Sequence, residues 1–298
     1  MAGNEKLDAV RAQVDAIDTE MIRMFSRRME LADQVAEIKR QNNLPIVDRA
    51  REAQVIEQTI QAVPQSLRGE AVTFMRGLMA MSKSRQRLKL FGTAEEYAFP
   101  APRAPYEKDV AVAFCGEGNG RGEEAARQLF SGAALYAQDS FAAVFQFTAG
   151  KEACAYGVVP IEDRRKGAIG QVYDLLRQYG CYIVGQTWVE ETRYIVIADT
   201  PEYDESSDVV SVSFRTAHRS GALVDALFPF MSENVNMKRL ESRPVAEGKY
   251  CFFCDLEGNI MDPAIADALR GAAAGCGYLE VLGCYRENSP VRQVEGLE

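Results

Sequence analysis

Apolar residues recur at helical spacing along the first part of the chain. Between Asn4 and Leu44 there is neither Gly nor Pro, and apolar positions fall three, four or seven residues apart, which is helical spacing. They are Leu7, Val10, Val14, Ile17, Met21, Met24, Leu31, Val35 and Ile38. A helix of this length is a rod of roughly 60 Å. Because a small globule cannot cover such a rod, the pattern predicts a partner helix from a second copy of the chain.

Prolines delimit two further helices. Pro45 ends the first helix, and the pattern predicts a second over about 48–62 and a third over about 67–90, with Pro64 between them. The stretch AFPAPRAPYE at 98–107 is typical of a stiff linker. The sequence therefore predicts an all-α three-helix domain over 1–92, as an intertwined dimer, and a linker over 93–107.

The rest of the chain mixes strands and helices. From 108 to 199 short apolar runs alternate with helical patterns, which predicts a single α/β lobe. The acidic, turn-rich stretch at 199–208 is predicted to be a second linker. The last part, 208–298, follows the order strand, helix, strand, strand, helix, strand, which is the α+β order of ferredoxin-like domains. We therefore predict three domains of different fold class.

Composition narrows the classes of function. No run of 18 apolar residues predicts a membrane span, and the amino-terminal residues lack a signal-peptide pattern. Seven cysteines without framework spacing favour a reducing cytoplasm. The single histidine, His218, argues against histidine metal sites and histidine-activated nucleophiles, and the pair Cys251 and Cys254 is predicted as buried strand thiols. We expect a cytoplasmic protein without metal or cofactor.

Charge is distributed unevenly along the chain. Residues 1–90 carry 15 Lys and Arg against 12 Asp and Glu, whereas the remaining residues carry 19 against 31. An acidic protein is a poor partner for nucleic acid or for an anionic membrane. A cationic first segment can instead hold a small anion, so we expect a small-molecule substrate.

Several polar residues of the helices have the spacing of a shared site. Arg28 and Lys39 are 11 residues apart, about three helical turns, and so lie on nearly one face. Arg11 lies on another face of the same rod, where it would serve a partner's site. Further candidates on the second and third helices are Asp48, Arg51, Glu52, Ser82 and Gln86. Each of these residues by itself is more typical of solvated surface charge.

As a set, these residues resemble an all-helical chorismate mutase. The match covers residues 5–90, with Arg11, Arg28, Lys39, the Asp48–Glu52 segment and the Ser82–Gln86 pair at family spacing. The resemblance implies that Arg11 (from the partner), Arg28, Arg51 and Ser82 hold the carboxylates of chorismate. It also implies that Lys39 and Gln86 face the ether oxygen, and that Asp48 and Glu52 take the ring hydroxyl. Such a rearrangement needs no nucleophile, metal or general base, only positioning and electrostatics.

Two motifs of the last segment resemble the phenylalanine-binding ACT domain of bifunctional chorismate mutase–prephenate dehydratases. They are Gly221-Ala222-Leu223-Val224 and Glu241-Ser242-Arg243-Pro244. The resemblance implies L-phenylalanine as an effector. The first motif alone is also an ordinary helix start, and the second motif 20 residues later favours effector binding.

The middle segment resembles one part of a prephenate dehydratase. Residues 156–176 match, and Thr192-Arg193-Tyr194 is similar to the family's Thr-Arg-Phe motif, whose threonine is implicated in dehydration. Here Asp163 replaces an asparagine and the basic run Arg164–Lys166 follows it. The family places a second lobe before the Thr-Arg strand, and this chain has only a few residues there. We therefore predict that the lobe is truncated and that Thr192 is a relic of a dehydratase site.

Three functions follow from these resemblances. The first is a chorismate mutase of phenylalanine biosynthesis, regulated by phenylalanine, with a degenerate dehydratase lobe. The second is an active bifunctional mutase and dehydratase. The third, from another class, is a non-catalytic amino-acid-sensing dimer or higher homo-oligomer in which the helices only associate. Following prephenate and phenylpyruvate separately after adding chorismate would distinguish them.

Overall fold

The computed structural model describes residues 2–91, 99–105, 110–150, 155–219, 221–246, 249–276, 278–289 and 292–293. The chain divides into two compact units, Met1–Glu96 and Tyr97–Glu298. None of the helices in the described ranges combines the length and apolarity that a bilayer crossing requires.

The first unit is all-helical, as the sequence predicts. It consists of α1 (Ala2–Gln41), α2 (Arg49–Ala62) and α3 (Arg68–Phe91), with a 3-10 turn at Gln65–Leu67. The Asp48 carboxylate accepts a hydrogen bond of 3.0 Å from the backbone of Arg51 and caps α2. Both α1 and α2 pack against α3.

Helix α1 buries only a small part of its apolar surface within the chain. Met29, Ala32 and Ala36 are buried, as is Leu78 of α3. Phe25 is half-buried. Ten other large apolar side chains of α1 are between 41% and 66% exposed, namely Leu7, Val10, Val14, Ile17, Met21, Ile22, Met24, Leu31, Val35 and Ile38. We call this set the apolar stripe of α1.

The second unit contains the remaining elements, in an order that agrees with the predicted alternation. In chain order they are β1 (Ala111–Cys115), α4 (Arg121–Leu129), β2 (Phe130–Ser131), β3 (Ala134–Gln138), α5 (Phe141–Ala149), β4 (Ala155–Asp163), β5 (Gly167–Ala168), α6 (Gly170–Tyr179), β6 (Tyr182–Val189), β7 (Thr192–Ala198), β8 (Val209–Arg215), α7 (Ala222–Ser232), β9 (Met237–Ala246), β10 (Lys249–Glu257), α8 (Pro263–Gly275), β11 (Tyr278–Tyr285) and β12 (Arg292–Gln293).

One sheet runs through this unit in the order β3-β1-β4-β7-β6-β11-β8-β10-β9, with β5 paired to β4. Strand β1 is parallel to β3 and β4, as expected for an α/β lobe. The strands from β11 to β9 are antiparallel neighbours and have the ferredoxin-like order. Helices α7 and α8 cover one face of these four strands, and α6 packs toward the other face.

The two parts of the sheet meet where β11 pairs with β6. Gly283 of β11 pairs with Ile183 of β6. A side chain at position 283 would place its Cβ 2.1 Å from the Ile183 carbonyl oxygen, so only glycine fits there. The lobe and the ferredoxin-like strands therefore form one continuous sheet.

Both predicted linkers have ordered contacts in the described residues. The Phe99 ring lies 5.7 Å from the Tyr182 ring and 5.3 Å from the Tyr203 ring. In the acidic segment 199–208, the Glu202 side chain is only 2% exposed, because it accepts hydrogen bonds from Arg103 and from the Tyr156 hydroxyl. The segment is thus a packed loop between β7 and β8. Positions 93–98 and 106–107 of the first predicted linker lie outside the described residues.

Candidate functional site

A guanidinium lies between α1 and α3. Arg28 Nη1 donates to the hydroxyl of Ser82 and, at 3.0 Å, to the carbonyl of Leu78. Ser82 in turn donates to the same carbonyl at 2.8 Å. Burial lowers the pKa of Arg28, which stays charged because arginine's ordinary pKa is so high. Among the described residues Arg28 has no carboxylate partner, so a half-buried positive charge faces this part of the helix pair.

Gln86 lies one helical turn after Ser82 on the same face of α3. It is 8% exposed, and its Oε1 atom has no hydrogen-bond donor among the described residues. Native proteins rarely leave a buried amide oxygen unpaired, and such an atom is a place where a bound ligand can donate. Arg28, Ser82 and Gln86 therefore form a polar row on the α1–α3 face.

Lys39 lies at the other end of the predicted set, in the last turn of α1. Its Nζ donates at 2.5 Å to the carbonyl of Ile46, just before α2. Asp48 follows as the cap of α2, and Glu52 forms an ion pair of 3.2 Å with Lys83 of α3. Because Lys83 directly follows Ser82 in α3, this ion pair holds α2 against the part of α3 that carries the polar row.

Two predicted residues stay apart from the others within one chain. Arg51 is exposed and donates to Gln54 at 2.6 Å. Arg11 pairs with Asp8 at 3.4 Å, and its side chain is 67% exposed. The described residues thus bring Arg28 and Ser82 into contact, with Gln86 one turn further along the same face, and leave Arg11 and Arg51 paired with residues of their own helices.

In the second unit, Thr192 begins β7 directly after a turn through Glu190 and Glu191. Its hydroxyl donates to the Asp163 carboxylate at 3.2 Å. The backbone N–H groups of Lys166 and Arg165 also donate to this carboxylate, and together they lower the pKa of Asp163. The Thr192 hydroxyl is therefore bound to a carboxylate that stays ionised at neutral pH.

The neighbouring Arg193 is the centre of a buried ion cluster. It donates to Asp255 of β10 at 3.0 Å, and its Nε lies 3.3 Å from Glu162 of β4. Burial is the largest single influence and acts to lower the pKa of Arg193, but the charge and hydrogen bond of Asp255, together with Tyr285 and Tyr173, raise the pKa overall. Glu162 also pairs with Arg239 of β9 at 2.8 Å. Arg193 thus ties the lobe to the ferredoxin-like strands.

Basic residues and the only tryptophan lie beside Thr192. The Arg164 guanidinium is 4.5 Å from the ring centre of Trp188, a cation–π contact. Arg165 donates to Glu191 at 3.0 Å. The turn after β4 therefore offers positive charge next to Asp163 and Thr192.

The two predicted effector motifs lie on different elements. Gly221 caps α7 with a φ of 79°, which favours glycine, and Val224 is 67% exposed. The second motif lies on β9, where Arg243 donates to Asp174 of α6 at 3.1 Å. No hydrogen bond or ion pair connects the two motifs within the described ranges.

The close cysteine pair lies in β10, where Cys251 and Cys254 are both buried. Burial raises the pKa of both thiols, that of Cys254 to about 12. In the described part of the chain, no cluster of three or more His, Cys, Asp or Glu side chains has the arrangement of a metal site.

Comparison with known proteins assigns the two units. The family model described as chorismate mutase type II matches residues 10–87, and that described as prephenate dehydratase matches residues 112–223. The bifunctional chorismate mutase/prephenate dehydratase of Aquifex aeolicus (strain VF5) is 23% identical over 376 residues, covering 94% of this chain and 98% of that protein. The chain belongs to the bifunctional chorismate mutase–prephenate dehydratase family. Both domains of the family are present.

Other relatives match a smaller part of this chain. The prephenate dehydratase of Mycobacterium marinum is 37% identical over 98 residues, which are 32% of this chain and 31% of that protein. Among solved structures, "GqqA- a novel type of quorum quenching acylases" is 26% identical with a TM-score of 0.55, covering 60% of this chain and 95% of that one. The prephenate dehydratase of Arthrobacter aurescens in complex with L-Phe has a TM-score of 0.53 at 18% identity, covering 59% and 90%. The last likeness shows the fold alone.

Sequence patterns do not reveal every residue that organises these sites. The carbonyls of Leu78 and Ile46 position Arg28 and Lys39, but a backbone acceptor leaves no mark in the sequence. Arg193 stands out in the sequence only as the neighbour of Thr192, and its partner Asp255 is 62 residues away. A buried arginine inside an apolar strand is the available signal, since such a charge requires a partner.

Proposed function

We propose that the helical unit converts chorismate to prephenate, as the mutase of phenylalanine biosynthesis. The observation that carries the proposal is the polar row of Arg28, Ser82 and Gln86. It presents a positive charge without a carboxylate partner among the described residues, next to a buried amide. A dicarboxylate substrate supplies the missing negative charge.

Catalysis in this proposal is electrostatic. Arg28, held by Ser82, and Arg51 bind carboxylates, and Arg11 comes from a second copy of the chain. Lys39 and Gln86 face the ether oxygen, where negative charge grows as the C–O bond breaks. The Asp48 turn and Glu52 take the ring hydroxyl. Holding the substrate in its reactive conformation supplies the rest of the rate enhancement.

The proposal includes a homodimer or a higher homo-oligomer. The apolar stripe of α1 runs from Leu7 to Ile38 with side chains 41% to 66% exposed. Such a stripe needs an apolar partner to leave water. A second α1 packed along it would also carry Arg11, whose side chain is 67% exposed, to the neighbouring site.

The mutase proposal is tested with full-length protein and chorismate. Removing one preorganised charge contact to a transition state lowers the rate about 10²- to 10³-fold. We expect that loss in kcat for Arg28→Ala and for Lys39→Ala. Arg40→Ala is the matched control, because its exposed side chain contacts only Glu37 among the described residues. Equal activity of Arg28→Ala and Arg40→Ala would refute the proposed site.

We further propose that the lobe does not dehydrate prephenate. Arg193 is engaged by Asp255 and Glu162, and the Thr192 hydroxyl by Asp163. The Aquifex aeolicus relative aligns over 376 residues, more than the 298 of this chain, which supports the loss of an internal segment. Dehydration needs an enclosed site to expel hydroxide and carbon dioxide.

The alternative is an active bifunctional enzyme, and the match of residues 112–223 to the prephenate dehydratase model favours it. Prephenate incubated with the protein at neutral pH decides between the two. We expect phenylpyruvate to form no faster than in buffer alone. Phenylpyruvate formation that Thr192→Ala abolishes would establish the bifunctional enzyme instead.

We also propose that L-phenylalanine binds the ferredoxin-like part as an ACT domain. The support is the Gly221–Val224 motif at the start of α7 and the Glu241–Pro244 motif on β9, together with the L-Phe complex of the Arthrobacter aurescens homologue. Calorimetry should detect binding to the native chain and none to Gly221→Val. If phenylalanine binds while chorismate is never consumed, the non-catalytic sensor is the correct function.

A further inference from the structure

Three neighbouring strands carry a row of polar residues on the face toward α6. Arg215 of β8 lies between Cys251 of β10 and Tyr278 of β11 in the sheet register. Two residues earlier on β8, Ser213 lies between Phe253 and Glu280. Since side chains two residues apart in a strand share a face, these six residues lie on one surface.

Helix α6 covers this surface and adds a second arginine. The Tyr173 ring lies 4.5 Å from the Phe253 ring, which fixes α6 over β10. Arg177 follows four residues later on the same side of the helix. Burial raises the pKa of Cys251, and the charges of Arg177 and Arg215 both act to lower it. Arg215 is the register partner of Cys251 on β8, and Arg177 is close enough for its charge to act on the same thiol.

Neither arginine has a carboxylate partner among the described residues. The Nε atoms of Arg177 and Arg215 are buried there without a hydrogen-bond acceptor. Arg215 lies 4.8 Å from the ring centre of Tyr278, a contact with an aromatic face rather than with an anion. By contrast, Arg243 pairs with Asp174 on the same helix, one turn before Arg177.

A buried hydroxyl completes the cluster. Ser213 is 0% exposed, and its Oγ makes no hydrogen bond within the described residues. The Glu280 carboxylate nearby accepts from the Tyr278 hydroxyl. Two positive charges and one negative charge leave a net positive site in a chain whose net charge is −9.

We propose that Arg177 and Arg215 form a binding site for a small oxyanion, either a carboxylate or a phosphate. Both arginines are half-buried, their Nε atoms are buried without an acceptor, and the forked donors of arginine match both anions. The Ser213 hydroxyl supplies a further donor at the bottom of the site. The site lies beside Arg243 of the β9 motif, which is the register partner of Cys251 and is already paired with Asp174. It belongs to the second unit, and it stands whether or not chorismate is the substrate.

The probes are inorganic phosphate and malonate, titrated into the full-length chain by calorimetry, with sodium chloride at equal ionic strength as the blank. We expect saturable binding of at least one probe and a higher unfolding temperature in its presence. Tighter binding of malonate would identify the ligand as a carboxylate, and tighter binding of inorganic phosphate would identify it as a phosphate.

Variants test whether the two arginines make the site. Losing one hydrogen bond to a charged group weakens binding by about 10- to 100-fold. We expect that loss for Arg177→Gln and for Arg215→Gln, and a smaller loss for Arg215→Lys, which keeps the charge. Arg127→Gln is the matched control, since Arg127 is exposed and already paired with Glu123.

A purely structural role for Arg177 predicts that Arg177→Gln lowers the unfolding temperature even in buffer without either probe. The proposed anion site predicts a different result. In buffer without either probe, Arg177→Gln should unfold at the same temperature as the native chain or higher, because it removes repulsion from Arg215. The proposal is overturned if neither probe binds saturably, or if both glutamine variants bind as the native chain does. It is also overturned if Arg177→Gln loses stability equally with and without the probes.

Discussion

Replacing Arg193 tests whether the Thr-Arg pair now serves the fold. The variant Arg193→Met keeps the volume of the apolar stem and removes the guanidinium between Asp255 and Glu162. Asp255, with its side chain 13% exposed, keeps the Ser211 hydroxyl at 2.6 Å. Glu162 is 28% exposed and keeps Arg239 at 2.8 Å. Asp255 thus loses its cationic partner and Glu162 loses the longer of its two ion pairs, and each carboxylate retains one other partner.

The expected magnitude follows from this partial compensation. Breaking a buried ion pair and orphaning its partner costs about 3–5 kcal/mol, and the retained partners reduce this to about 2–3 kcal/mol. A urea m-value of about 2–3 kcal/mol per M for a unit of this size converts the loss into a midpoint shift of about 1 M. The double variant Arg193→Met with Asp255→Asn should recover part of it, because the orphaned charge is gone.

The assay uses the chain's only tryptophan. Trp188 pairs with Arg193 across the β6–β7 hairpin, so its fluorescence in urea reports unfolding of the second unit. Thr192→Ala is the control, since it removes one partly exposed hydrogen bond worth about 1 kcal/mol or less. An unchanged midpoint in Arg193→Met, or equal shifts in the two variants, would show that Arg193 does not support the fold.

Three further predictions follow from single contacts. Ser82→Ala should lower mutase kcat/KM by about 10- to 100-fold, because Arg28 loses its side-chain partner; Ser84→Ala on the same helix serves as the comparison. Gly283→Ala should destabilise the second unit by about 1–3 kcal/mol, since its Cβ would lie 2.1 Å from the Ile183 carbonyl. Gly118→Ala should not destabilise it, because its Cβ meets only the Glu123 carboxylate at 3.5 Å. Tryptophan fluorescence in urea compares the two variants. Burial raises the pKa of Cys254 to about 12 and of Cys284 to about 11, so both thiols stay protonated at neutral pH. Both should therefore resist labelling by maleimide until urea unfolds the chain, and mass spectrometry measures the extent of labelling.

The helical unit is largely predictable because its signals are local. Helical spacing on α1, the prolines at 45 and 64 and the Asp48 cap all act within a few residues of the elements that they define. The ferredoxin-like order is predictable for the same reason, since each strand and helix carries its own pattern.

Contacts between distant strands are not predictable from one sequence. The Gly283–Ile183 approach depends on how the whole sheet is assembled, and a single glycine in a strand is equally typical of a bulge or a bend. The acidic composition of segment 199–208 predicts a linker, because charge usually remains in water. Glu202 is buried instead, since Arg103 and Tyr156, 99 and 46 residues away, supply its donors.

The continuous sheet has a consequence for recombination between relatives. A carboxyl-terminal part that folded separately could be exchanged at a linker like a cassette. Here strand β11 pairs with β6 of the lobe in one sheet. Across the same boundary, Arg193 of β7 pairs with Asp255 of β10, and Arg239 of β9 pairs with Glu162 of β4. A chimera joined between 199 and 208 would need a matching glycine, a matching carboxylate and a matching arginine from two different parents. The second unit is therefore inherited, lost or transplanted as a whole.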